Sequence, residues 1–125
     1  MAQPKSRAGQ PIRKVWLPAT MKQAVNELCW RNRTKPSPYL LDIIQEVAEH
    51  SERFEGAHVP PAGNSYISVY IDDESWERGL AAAADLDVRL SALVRVAIAR
   101  DLTEARIPWD ATTTRPRNDH IPIRE

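Results

Sequence analysis

With 125 residues, 42% of them hydrophobic, the chain can form one compact domain or two half-sized units sharing a core, while ten prolines and a mean hydropathy of −0.48 point to sizeable irregular segments. One cysteine excludes an internal disulfide, His50, His58 and His120 lack metal-ligand spacing, and no apolar run approaches the ~18 residues of a bilayer span; a cytoplasmic protein with no metal, no cofactor and no membrane insertion is expected. The formal net charge of zero conceals an asymmetry: residues 1–35 hold eight Lys/Arg against one acid, Glu27, whereas residues 36–104 hold five Arg against thirteen acids.

A basic N-terminal third on an otherwise acidic chain is a local footprint for a polyanion, although charge alone leaves a solubilising arm equally open. Residues 1–11 read as a basic flexible arm carrying Lys5 and Arg7, and without an apolar stretch they do not form a secretory signal. Residues 12–17 are short and extended, with Val15 and Leu17 alternating against Lys14 and Trp16, and Pro18 ends them. From Ala19 the period changes, and Met21, Val25, Leu28 and Cys29 fall on one helical face. Trp30 to Pro36 is a polar turn. A second helix is expected from Ser37-Pro38, serine serving as N-cap and proline fitting the first turn. Its stripe is Tyr39, Leu40, Ile43, Ile44, Val47 and Ala48, reaching about His50.

Residues 51–64, with Pro60-Pro61 and two glycines, read as a linker. The order of elements then restarts. Ile67, Val69 and Ile71 alternate with Tyr66, Ser68 and Tyr70 in a second strand, and Asp72-Asp73-Glu74-Ser75 supplies caps and negative charge for a helix start. Trp76, Leu80, Ala83, Ala84 and Leu86 mark the next apolar face. Ser91 is the expected cap of a fourth helix with a stripe of Val94, Ala97, Ile98 and Leu102, and Leu93 at its edge. Residues 105–125 hold three prolines and no sustained period, and read as a tail pinned by Trp109. Superposing Leu17 on Ile71 also superposes Ser37 on Ser91. The chain is thus an internal duplication, residues 12–50 and 65–104.

A unit of about 40 residues buries too little apolar surface to fold alone, and a single strand leaves an unpaired edge. Two intertwined units remove both problems. The carrying residues are Val15-x-Leu17-Pro18, the face Met21/Val25/Leu28 and Ser37-x-Tyr39-Leu40, answered in the second half by Ile67-x-Val69-x-Ile71, Trp76/Leu80 and Ser91-x-x-Val94-Arg95. This arrangement resembles the ribbon-helix-helix superfamily of DNA-binding proteins, to which the Arc and MetJ repressors belong. On architecture and length, the tandem form is similar to the plasmid relaxosome protein TraY. The resemblance implies a mostly helical α+β fold in which two tandem ribbon-helix-helix units form a single-chain pseudo-dimer, a two-stranded antiparallel ribbon lying over four helices.

It further implies that the ribbon enters the major groove of double-stranded DNA, with Lys14, Trp16, Tyr66, Ser68 and Tyr70, and Arg13 or Ile12 at the strand start, facing base edges. Aromatics stand where the family more often has Arg, Lys, Asn, Gln or Thr, so modest specificity, or several copies sharing one site, is expected. Packing of Trp16 and Tyr70 under the arm or tail is the competing role for those rings. The second-helix starts, Ser37 and Ser91 with Arg31, Arg33, Lys35 and Arg89 nearby, are expected to seat phosphates, assisted by Lys5 and Arg7. Simple capping is the competing role there. The acidic second unit is expected to repel phosphate or to attract a basic partner such as a relaxase.

No Ser/His/Asp or Cys/His constellation, glycine-rich phosphate loop or metal cluster occurs in the sequence, and Cys29 sits on the core face as an inert thiol; a binding protein, not an enzyme, is expected. Three roles stay open: a transcriptional regulator of a plasmid or another mobile element, a relaxosome accessory protein at an origin of transfer in conjugation, and a protein-interaction adaptor or antitoxin with little DNA binding. The Arg/Pro segment Thr112 to Arg117 is a poor toxin-binding helix and weighs against the antitoxin role.

Overall fold

The computed structural model describes residues 11–109 and 121–123; the arm with Lys5 and Arg7, and Thr112 to Arg117, lie outside the described residues. The elements run β1 (Ile12–Leu17), α1 (Ala19–Arg31), α2 (Pro36–Glu49), a 3₁₀ turn (Ser51–Phe54), β2 (Ser65–Tyr70), α3 (Asp73–Asp85) and α4 (Leu90–Ala105). Among the described residues, four helices and one two-stranded antiparallel sheet make this a small, mostly helical α+β fold. In the ladder Lys14 faces Ser68, Val15 faces Ile67 and Trp16 faces Tyr66. Ser68 follows Lys14 by 54 positions (68 less 14), the offset that carries Leu17 to Ile71 and Ser37 to Ser91. The sheet is therefore centred on equivalent positions of the two halves.

Alternation along the strands decides the core. Val15, Leu17, Ile67 and Val69 point inward and are buried, as is Ile71 just beyond β2. They meet Met21, Val25, Leu28 and Cys29 of α1 and Leu40, Ile43, Ile44 and Val47 of α2, as the periodicity leads one to expect. Helix α4 buries Leu90, Leu93, Val94, Val96, Ala97, Ile98 and Leu102, spread around most of its circumference, so it is the central helix. Each large apolar side chain removed from water contributes roughly 1.5–3 kcal/mol.

Helix α3 departs from its expected face. Its buried residues are Gly79, Ala82 and Ala83, while Leu80 and Ala84 are exposed and Trp76 is half-buried. The cause is close packing: a Cβ at Gly79 would lie 3.1 Å from both Ile44 Cγ2 and Leu90 Cδ2. The small-residue side of α3 therefore faces α2 and α4, which turns Leu80 outward.

Helix starts also shift. Asp72 caps α3 as expected, its Oδ2 accepting from the Ser75 N–H at 2.9 Å. Helix α2 instead begins at Pro36, with Lys35 in the cap position, because proline's fixed φ suits the first helical residue. Ser37 lies inside the helix, and its Oγ accepts the Tyr70 N–H at 2.9 Å across to β2. Likewise α4 begins at Leu90 with Arg89 in the cap position, so Ser91 is not a cap.

The segment 51–64 is packed rather than a free linker. Phe54 and Val59 join the core, and Pro60 is buried. Gly63 has φ +73°, and a Cβ there would stand 2.3 Å from Pro18 N and 2.5 Å from the Leu17 carbonyl carbon, because the chain crosses directly over the end of β1. The tail is fastened too. Trp109 packs against the core, Ile107 and Ile121 are buried, and Ile121 exchanges backbone hydrogen bonds with Gly56 (2.7 Å) and Ala57 (2.8 Å).

Candidate functional site

The outward positions of the sheet are Ile12, Lys14 and Trp16 on β1 and Tyr66, Ser68 and Tyr70 on β2. Trp16 is 42% and Tyr66 37% exposed, while Ser68 and Tyr70 are half-buried. As cross-strand neighbours, the Trp16 and Tyr66 rings meet with centroids 5.1 Å apart and planes tilted by 60°. Lys14 Nζ stands 4.6 Å from the Tyr66 centroid and 5.9 Å from that of Trp16, and Lys22 Nζ of α1 comes within 5.7 Å of Tyr66. Such cation–π contacts contribute about 0.5–1 kcal/mol at exposed sites. One end of the ribbon face is thus an aromatic pair with two cations above it.

Arg13 does not belong to this face. Alternation places it on the inner side, where Nη2 donates to Asp73 Oδ1 at 2.8 Å and the guanidinium lies 5.2 Å from the Trp76 ring centroid. Ile12, 54% exposed, holds the outer position beside it.

Two grooves flank the sheet. The one beside β2, about 620 Å³, is lined by Lys22, Asn26, Lys35, Ser37, Asn64 and Tyr70 among others. The one beside β1, about 380 Å³, is lined by Lys14, Trp16, Trp76, Leu80, Arg89 and Ser91 among others. These linings correspond at the 54-residue offset: Lys22 with Trp76, Asn26 with Leu80, Lys35 with Arg89 and Ser37 with Ser91. Most residues lining the first are polar and most lining the second are apolar, while each holds two cations, Lys22 and Lys35 in the first and Lys14 and Arg89 in the second.

The two second-helix starts differ in their backbone donors as well. Pro36 and Pro38 have no N–H, so the first turn of α2 offers an anion only the Ser37 amide. At α4 the amides of Leu90, Ser91 and Ala92 have no intrahelical partner, since the first intrahelical bond is Leu93 N–H to Arg89 O. Electrostatic attraction at α2 therefore rests on the lysine side chains, and at α4 on backbone dipoles with Arg89.

Of the expected phosphate contacts, Lys35 and Ser37 share the first groove, and Arg89 and Ser91 the second. Arg31 and Arg33 lie elsewhere, around a shallow depression with Trp30 and Thr34. Arg31 is also engaged, donating to Glu27 Oε2 (2.9 Å) and to the Ala105 carbonyl (3.2 Å) at the end of α4. Lys22, Asn26 and Asn64 were not among the expected site residues. The repeat offset could have found the first two, because they stand at the positions of Trp76 and Leu80. Cys29 is buried, which pushes its thiol up to about 11, so at neutral pH it is protonated and a poor nucleophile.

No family model, curated protein or solved structure matches the chain. Among the described residues, no helix is long and apolar enough to cross a membrane, and no group of three or more His, Cys, Asp or Glu is placed to hold a metal ion.

Proposed function

We propose that the chain binds double-stranded DNA as a single-chain ribbon-helix-helix pseudo-dimer, its outer ribbon face entering the major groove. The observation that carries this reading is the register: Lys14 opposite Ser68 centres a two-stranded, outward-facing sheet on equivalent residues of the two halves. A two-stranded ribbon of this kind fits the width of the major groove. Lys14 and Ser68 are the polar readers at its centre, and Trp16 and Tyr66 offer apolar contact to thymine methyl groups. Lys22, Lys35 and Ser37 beside β2, and Arg89 with the α4 amides beside β1, hold the flanking phosphates. The proposed role is transcriptional regulation of a plasmid or another mobile element by occupation of an operator.

The reading is tested by fluorescence anisotropy on labelled duplexes across a salt series. If about six phosphates are neutralised, affinity falls roughly 10³-fold between 50 and 200 mM salt. A nearly flat dependence would remove DNA as the ligand. Mapping fragments selected from the source DNA then separates roles on the same surface: a site upstream of the chain's own gene marks a regulator, a site beside a nick marks a relaxosome accessory protein, and no enrichment marks an adaptor.

A further inference from the structure

The two inter-helix turns are built alike and charged oppositely. After α1, Arg33 donates its N–H to Trp30 O and Thr34 to Cys29 O; after α3, Asp87 donates to Ala84 O and Val88 to Ala83 O. Arg33 and Asp87 both take left-handed backbone, φ 56° and 60°. Position for position, Trp30-Arg31-Asn32-Arg33 answers to Ala84-Asp85-Leu86-Asp87. A large basic-flanked aromatic in one half thus replaces a small acid-flanked residue in the other.

Trp30, near the end of α1 and beside this hydrogen-bonded turn, is 78% exposed, so its indole stands in water. A recess lies between β1 and the helices of the second half. The groove beside β1 has Trp16, Trp76, Leu80, Ala84 and Val88 on its walls, with Leu80 39% exposed. Lys14 and Arg89 stand at its ribbon end, where cations favour an aromatic face, and exposed Asp87 adjoins Val88 at the turn.

We propose that this groove receives Trp30 of a second copy of this chain, with Arg33 of that copy set against Asp87. The contact is head-to-tail: donor and receiver are different surfaces, so a pair keeps one donor and one receiver free and the association extends as a row. A formal net charge of zero leaves no long-range repulsion to oppose it. Because the proposed function gives Arg89 and the α4 amides of this groove to phosphate, DNA and a second copy compete for it, and the test omits DNA.

The test is sedimentation velocity on the full chain over a wide concentration range at low salt. The weight-average mass is expected to rise above the 14.2 kDa of one copy as concentration increases. Trp30→Ala and Leu80→Lys should each weaken association by roughly 30-fold, as expected on losing a central aromatic anchor or its seat. Arg33→Asp and Asp87→Arg should each weaken it roughly tenfold through like-charge contact, and the double swap should restore it. Both swaps place at each turn a residue already seen in that backbone geometry, so folding is preserved. A mass of 14.2 kDa at every concentration overturns the proposal, as does association indifferent to Trp30→Ala or unrestored by the double swap.

Discussion

Arg95 is 7% exposed, on the central helix, and its charge survives there because Nε donates to Pro60 O at 3.0 Å and Nη1 to Trp16 O at 3.2 Å. Burial lowers its pKa, and the two carbonyls offset that cost while satisfying the outer edge of β1. Replacing Arg95 with Met keeps the stem and orphans both acceptors; a loss of about 2 kcal/mol is expected in urea unfolding, with a Trp16 environment that changes in fluorescence. Gly63 acts at the same corner. Gly63→Ala combines φ +73° with a clash against Pro18 backbone, so the same unfolding measurement should show about 2 kcal/mol or more lost. Neither role was legible in the sequence. Arg95 lies among apolar residues with no nearby acid, and its acceptors are carbonyls 35 and 79 positions away. Gly63 read as a generic breaker because nothing local reveals which backbone crosses over it.

Helices α2 and α4 are tied by one polar network. Arg100 donates to both Glu46 oxygens at 2.7 and 2.9 Å and to Asp101, while the Tyr39 hydroxyl donates to Asp101 Oδ2 at 2.7 Å. Burial first, then the Asp101 hydrogen bond, raises the Tyr39 pKa, keeping the hydroxyl a donor. The Arg100 hydrogen bonds hold the Glu46 carboxyl below its ordinary value. A lowered folded pKa means that Glu46 contributes stability fully above the ordinary glutamate range and loses it as pH falls through the lowered value. Glu46→Gln should therefore cost about 1 kcal/mol at neutral pH, discounted because Arg100 is partly exposed, and should flatten the acid limb of a stability profile. Urea midpoints compared from about pH 7 down to about pH 3 check both parts. The helices themselves were legible from periodicity, since the stripes of α1, α2 and α4 face the core, although Tyr39 and Ala48 are only partly buried and α4 also buries Leu90, Arg95 and Val96. The starts of α2 and α4 and the face of α3 were not. Pro36 outcompeted Ser37 as the initiating residue, and Gly79 let small side chains face inward where size alone favoured Leu80.

At the scale of the whole molecule, the order strand, helix, helix occurs twice, and the two runs differ in chemistry. Alternation revealed which ribbon residues face outward, except at the strand start, where Ile12 rather than Arg13 takes the outer position. The unlike grooves were not legible, because each is assembled from the strand of one half and the helices of the other. On the proposed function, the unlike residues lining the grooves beside β2 and β1 give the molecule a direction on DNA, so its target need not be palindromic. The central claim is that the ribbon face reads base edges in the major groove. It is tested most directly by anisotropy titrations of the Lys14→Ala/Ser68→Ala variant on a duplex selected from random DNA and on a scrambled duplex of equal length. The variant should lose roughly tenfold more affinity on the selected duplex than on the scrambled one. Equal losses on both, or no loss on either, would contradict insertion of this face in the groove.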